Sequence, residues 1–96
     1  MIVRLTRFNV AAAQAEEAKR IYRQEVISAV KKQTGNEDVM LLEPTDGSDE
    51  FISVTTWKTQ ADADAYESSG TYRQLVDKLK GLFSGKPDLK TYNVPE

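Results

Sequence analysis

The chain of 96 residues has no histidine and no cysteine. Without cysteine there are no disulfides and no thiolate nucleophile, and zinc sites of the usual kinds lose their ligands. The absence also fits a cytoplasmic protein. Without imidazole, neither a Ser-His-Asp nor a Cys-His arrangement can be built. The five glycines are scattered singly, so no phosphate-cradling loop exists. Thirteen basic and fifteen acidic side chains leave a net charge of −2 with no basic arm or stripe. Nucleic acid and anionic membrane surfaces are therefore not expected partners. No apolar run approaches the roughly 20 residues that cross a bilayer, and Met1–Arg7 has no signal-peptide core. Acidic residues gather at Asp46, Asp49 and Glu50 without EF-hand spacing, which reads as a solvated turn. No metal and no cofactor is expected.

What is present suits one small globular domain over residues 1–96, with 40% hydrophobic and 29% charged residues. Residues 2–10 alternate as a strand, with Ile2, Arg4, Thr6 and Phe8 on one face and Val3, Leu5, Arg7 and Asn9 on the other. From about Ala12 the period lengthens. Ala15, Ala18, Ile21/Tyr22, Val26, Ala29 and Val30 recur at helical steps, acids come early and Lys31-Lys32 late, and Gly35 supplies the stop. Val39–Leu42 and Phe51–Trp57 flank the turn Pro44–Ser48 and predict an antiparallel hairpin. Thr59 with Asp62 marks a helix start, running to about Glu67 before Ser68-Ser69-Gly70 breaks it. A second helical stretch puts Tyr72, Leu75, Val76, Leu79, Leu82 and Phe83 on one face. Gly85-Lys86-Pro87 ends it, and Leu89–Val94 alternates as a last strand.

The order β-α-β-β-α-β predicts an α+β, ferredoxin-like fold: a four-stranded antiparallel sheet with both helices on one face. Strands 1 and 3 carry apolar residues on their second face as well, through Val3, Leu5, Ile52 and Val54. A sheet left open to water should alternate more cleanly. The economical cover is the same face of a second copy, so a homodimer is expected.

Several local patterns, taken in order, resemble a known family. They are the opening Val3-x-Leu5-Thr6-Arg7-Phe8-x-Val10, the helix ending near Gln33-Thr34-Gly35, and Val39-Met40-Leu41-Leu42-Glu43-Pro44. The strand closing on Trp57-Lys58-Thr59, the break Tyr66-Glu67-Ser68-Ser69-Gly70 and the final Tyr92-Asn93-Val94 follow. Together they are similar to the antibiotic biosynthesis monooxygenase domain of the dimeric α/β-barrel superfamily. The resemblance covers essentially the whole chain and implies a homodimeric barrel with a pocket between sheet and helices in each subunit. Some relatives oxidise aromatic polyketides or quinols with O2 and no cofactor, others degrade haem, and others bind or isomerise small molecules. The chain departs from two of these branches. Where haem-degrading members place an Asn, a second Trp and an iron-ligating His, it has Thr6, Tyr66 and Val76; where quinol oxidisers often place a His, it has Ser69-Gly70-Thr71.

The resemblance makes the face of Thr6 and Phe8 a pocket wall, with Ser53 and Thr55 leaving room beside Trp57, the only tryptophan. Trp57 offers a flat surface for an aromatic ring. Tyr22, Tyr66 and Tyr72 can hydrogen-bond a phenol or ketone oxygen, and Arg7, Arg23 or Arg73 can favour its anion. The catalytic candidates are thus Tyr66, Tyr72 and Arg7, with Trp57, Thr6, Phe8, Tyr22, Ser53 and Thr55 as the substrate pocket. Each of these residues also has a purely structural reading: Trp57 as a core or interface anchor, Tyr22 and Tyr72 as satisfied members of helical stripes. The expected activity is cofactor-free oxygenation of a small aromatic or quinone-like molecule. The alternatives are a non-catalytic small-molecule-binding or purely structural dimer and, third, an isomerase or decarboxylase acting through Tyr and Arg.

Overall fold

A computed structural model describes residues 1–95. Strand β1 (Ile2–Asn9) lies inside the sheet, where its alternation commits one set of side chains to each face. It pairs antiparallel with β3 (Glu50–Trp57), Ile2 opposite Trp57 and Phe8 opposite Phe51. On its other edge it pairs antiparallel with β4 (Asp88–Asn93), Thr6 opposite Leu89. Strand β2 (Asn36–Leu42) completes the sheet beyond β3, in the order β2-β3-β1-β4. This is the ferredoxin-like topology that the element order predicts.

Several strand ends differ from the sequence reading, by one residue at the end of β1 and the start of β3 and by more at β2. β2 starts at Asn36 rather than Val39, with a register shift between Asn36 and Asp38. The polar run Asn36-Glu37-Asp38 hides this part of the strand, because it lies mostly in solvent and alternation has no apolar face to mark. β4 begins at Asp88 and ends at Asn93, one residue earlier than expected at each end.

The long first helix is composite. A short 3₁₀ turn (Ala12–Gln14) leads into α1 (Ala15–Ile21), a π-helical turn spans Tyr22–Val26, and α2 (Ile27–Lys31) closes the rod. Its inward residues are Ala18, Tyr22, Val26 and Val30, all buried and spaced by four. In a regular α-helix of 3.6 residues per turn, each four-residue step drifts about 40° round the axis. Three such steps would carry Val30 off the face that Ala18 occupies, and the wider π turn takes up the drift. Helix α3 (Gln60–Ser68) starts as expected, the Asp62 backbone N–H donating to Thr59 Oγ1 at 3.1 Å. Gly70, at φ 88°, turns the chain into α4 (Thr71–Leu79), which tightens into a 3₁₀ turn at Lys80–Leu82.

The helices share the face of Ile2, Phe8, Phe51 and Trp57, and the buried core lies in that layer. Over the opposite face the described residues place nothing. Val3, Leu5, Ile52 and Val54 lie there half-buried among their neighbours, while Met40, Leu42 and Tyr92 are 42%, 44% and 43% exposed. Among the described residues no helix is long and apolar enough to cross a membrane.

Candidate functional site

Between sheet and helices lies a narrow cavity of about 40 Å³. β1 contributes Thr6 and Phe8, β3 contributes Ser53, and the π turn contributes Tyr22 and Val26. Tyr66 closes one side from α3; Tyr72, Leu75, Val76 and Leu79 come from α4, and Phe83 follows it. Phe83 packs on Phe8, ring centroids 4.9 Å apart, so the far end is aromatic on two sides. The volume suits a few water-sized occupants, not an aromatic ring. Outside it runs a larger cleft of about 780 Å³ between α4 and the segment carrying Gly85-Lys86-Pro87. Tyr72, Val76 and Phe83 line both spaces and form the partition between them.

The hydroxyls of the lining fall into two groups. The Tyr22 hydroxyl donates its proton to the Met40 carbonyl at 3.0 Å, so the Ser53 hydroxyl, 2.8 Å away, must donate to Tyr22. Burial pushes the Tyr22 phenol up to about 12, with the Ser53 bond pulling the other way. This pair is satisfied and fixed. Tyr66 and Tyr72 differ: their rings meet edge to face at 5.9 Å, and among the described residues neither hydroxyl has a hydrogen-bond partner. Burial also raises the Tyr66 phenol, with the Arg4 charge opposing it. Tyr22 and Tyr66 therefore stay protonated at neutral pH, and of the two only Tyr66 has a proton not already given to the protein.

Thr6, Phe8, Tyr22, Ser53, Tyr66 and Tyr72 are thus gathered on one cavity, whereas three other expected residues are not part of its wall. Trp57 is fully buried behind Tyr66, its ring stacked at 4.9 Å and 27°. Its indole N–H donates to Thr55 Oγ1 at 2.9 Å, which holds Thr55 in the same second layer. Both residues support Tyr66 and neither lines the cavity. Arg7 requires a correction. Strand parity sends it to the uncovered face, where it pairs with Asp88 at 2.9 Å in solvent.

The arginine on the cavity face is Arg4, only 3% exposed. Its guanidinium stands 5.0 Å from the Tyr72 ring centroid and 5.7 Å from that of Tyr66, within cation–π range of both. Nη1 donates to the Ala63 carbonyl at 3.0 Å. Nη2 lies 3.1 Å from Glu67 Oε1, close enough for an ion pair, yet out of line for a hydrogen bond, so its N–H groups have no bonded partner. Arg4 thereby ties β1 to α3 and sets the spacing of the two tyrosine rings. Its sequence signal was parity with Thr6 and Phe8. Leu75, Val76, Leu79 and Phe83, also lining residues, were marked only as an apolar helical stripe.

The whole arrangement offers neutral hydroxyl donors in an apolar enclosure, with cations behind and outside it. The lining holds no carboxylate, and among the described residues no group of three or more Asp and Glu side chains is placed to hold a metal ion.

No functionally curated protein matches the sequence. Solved structures share the fold at low identity. A Nitrosomonas europaea protein named for antibiotic biosynthesis monooxygenase superposes with TM-score 0.81 at 20% identity, covering 98% of each chain. A Deinococcus radiodurans protein of the same name gives TM-score 0.85 at 15% identity, over 100% of this chain and 94% of that one. SnoaB of Streptomyces nogalater, a cofactor-independent oxygenase, in a single-residue mutant form, gives 0.81 at 15% identity, over 99% and 93%. The family model for antibiotic biosynthesis monooxygenase matches residues 1–78, the span from the first strand through the partition residues of α4. The chain belongs to the antibiotic biosynthesis monooxygenase family.

Proposed function

We propose that the protein is a homodimeric, cofactor-free monooxygenase acting on a small aromatic or quinone-like molecule held beside Tyr66 and Tyr72. One observation carries this reading: two tyrosines whose rings touch, whose hydroxyls have no protein partner among the described residues, and which line a cavity walled by Phe8 and Phe83. An oxygen atom of the ligand takes hydrogen bonds from the tyrosines while its ring stacks between apolar walls. Admitting the ring requires Tyr72, Val76 and Phe83 to move outward, joining the cavity to the cleft.

Burial keeps Tyr66 neutral, so it donates to a substrate oxyanion and does not abstract its proton, whereas the Tyr22 proton is already given to the Met40 carbonyl. The substrate must then be acidic enough to ionise to solvent. Its anion adds O2, forming a C–O bond; the peroxide oxygen takes up a proton, and loss of water leaves a carbonyl. One O2 is consumed and one water released for each methylene converted to C=O.

Purified protein supplied with a panel of quinols and anthrone-like phenols should consume O2. Tyr66→Phe and Tyr72→Phe should each lower the rate roughly 100- to 1000-fold, the loss of one oxyanion donor. Inert wild-type protein would leave a binding module as the better account. That second reading is favoured by one feature of the lining: its polar groups are hydroxyls, with no carboxylate or imidazole to take a proton.

The dimer is supported by the uncovered sheet face with its half-exposed Met40, Leu42 and Tyr92. Light scattering on the eluting protein should give twice the chain mass, and Val54→Asp should halve it while far-UV circular dichroism is retained. A wild-type monomer at micromolar concentration would exclude the assembly.

A further inference from the structure

We infer that the ligand is an anionic aromatic compound, its ring entering the cavity and its carboxylate or phenolate resting on Arg73 and Lys86 in the outer cleft; this rests on the pocket reading above. Arg73, Lys80 and Lys86 bring three positive charges to the cleft, and Glu67 and Asp77 bring two negative ones. The carboxylates are already engaged. Glu67 lies 3.1 Å from Nη2 of the buried Arg4, and Asp77 lies 3.4 Å from Lys80. Among the described residues, Arg73 and Lys86 have no carboxylate within ion-pair distance. A chain of net charge −2 thus leaves two uncompensated cations at the mouth of its apolar cavity.

Helical geometry makes this placement more than a scatter of surface charge. Tyr72 and Val76 are four apart on α4 and face the cavity, while Arg73 follows Tyr72 directly and looks into the cleft. Gly70 and Gly85 border the cleft without side chains, so its rim is open beside the cations. A ring that passes the partition leaves its polar end there. The cations also supply what the lining lacks. A positive charge within about 4–6 Å lowers a neighbouring acid's pKa by 1–3 units, so the rim favours ionised ligand without any base.

The test is calorimetric titration of the full chain with 2-naphthoate and 2-naphthamide, the same ring with and without charge, at low salt. Wild type should bind the naphthoate roughly fivefold tighter, the size expected of partly exposed ion pairs, and that preference should shrink near 0.15 M salt. The Arg73→Gln/Lys86→Gln double variant should bind both probes equally, with naphthamide affinity unchanged, while Lys31→Gln on α2 keeps the wild-type preference. Val76→Trp, which fills the partition, should abolish binding of both. Equal binding of the two probes by wild type, or a preference surviving in the double variant, overturns the anion assignment and leaves the pocket standing. Binding of neither probe, or binding untouched by Val76→Trp, removes the pocket reading and this inference with it.

Discussion

Arg4 and Arg7 stand three residues apart on one strand and live in different solvents. Arg4 turns toward the helices, where two tyrosine rings, the Ala63 carbonyl and Glu67 replace its water. Arg7 turns toward the uncovered face and keeps water around half of its side chain, with Asp88 alongside. Coulomb attraction in water is weak and falls further with salt, so the second pair has little effect on stability. The first guanidinium is desolvated, so every contact it makes is strong and each missing one is costly. The same residue type therefore organises a site on one face of the sheet and decorates the surface on the other.

Substitution at the two positions should separate the faces most sharply. Arg4→Ala is expected to cost about 2–4 kcal/mol, through lost packing, the orphaned Ala63 carbonyl and the lost cation–π contacts. Arg4→Lys should recover only part of this, since a point-like ammonium cannot serve the carbonyl and both rings together. Urea denaturation followed by Trp57 fluorescence measures both. An Arg4→Ala protein as stable as wild type would contradict the buried-clamp description.

A backbone test probes the inner layer next. Gly35 holds φ 80°, and a Cβ added there would collide with the Asp62 side chain at the start of α3. Gly35→Ala should destabilise by about 1–3 kcal/mol, from left-handed strain and displacement of α3. Recovery in the Gly35→Ala/Asp62→Gly double variant would apportion the two causes.

Tyr22 sharpens the comparison through pH. Its folded pKa of about 12 lies above the ordinary 10.0, so its contribution is complete below pH 10 and is lost as pH rises from about 10 to about 12. The slope from this one group approaches about 1.4 kcal/mol per pH unit. Tyr22→Phe should flatten the stability profile in that window relative to wild type, read from denaturation midpoints at pH 9 to 11. The smallest effect belongs to the outer face: Arg7→Ala should change stability by less than about 0.5 kcal/mol.

Much of this arrangement was legible in the chain because strands obey parity. Once Thr6 and Phe8 face inward, so does Arg4, yet its charge argues for solvent unless its partners are known. Those partners, Ala63 and Glu67, sit some sixty residues away, a distance over which spacing rules are silent. Trp57 was legible as an inward residue and not as a second-layer one; the stack with Tyr66 depends on where α3 lands. The partition at Tyr72, Val76 and Phe83 showed only as a helical stripe, because whether a stripe meets a packed core or a hollow depends on the opposing wall. The π turn was masked for a similar reason. Over any two turns, a spacing of four is compatible with an ordinary α-helix.

That turn has a consequence for how the family can vary. A π turn is one residue more than the α-helix needs, inserted where the flanking segments are already anchored by Ala18 and Val30. Removing a residue between Tyr22 and Val26 would restore the regular pitch while both ends of the rod kept their seats. Only the stretch facing the hollow would be redrawn, so single-residue insertions and deletions here can remodel the chamber without refolding its frame.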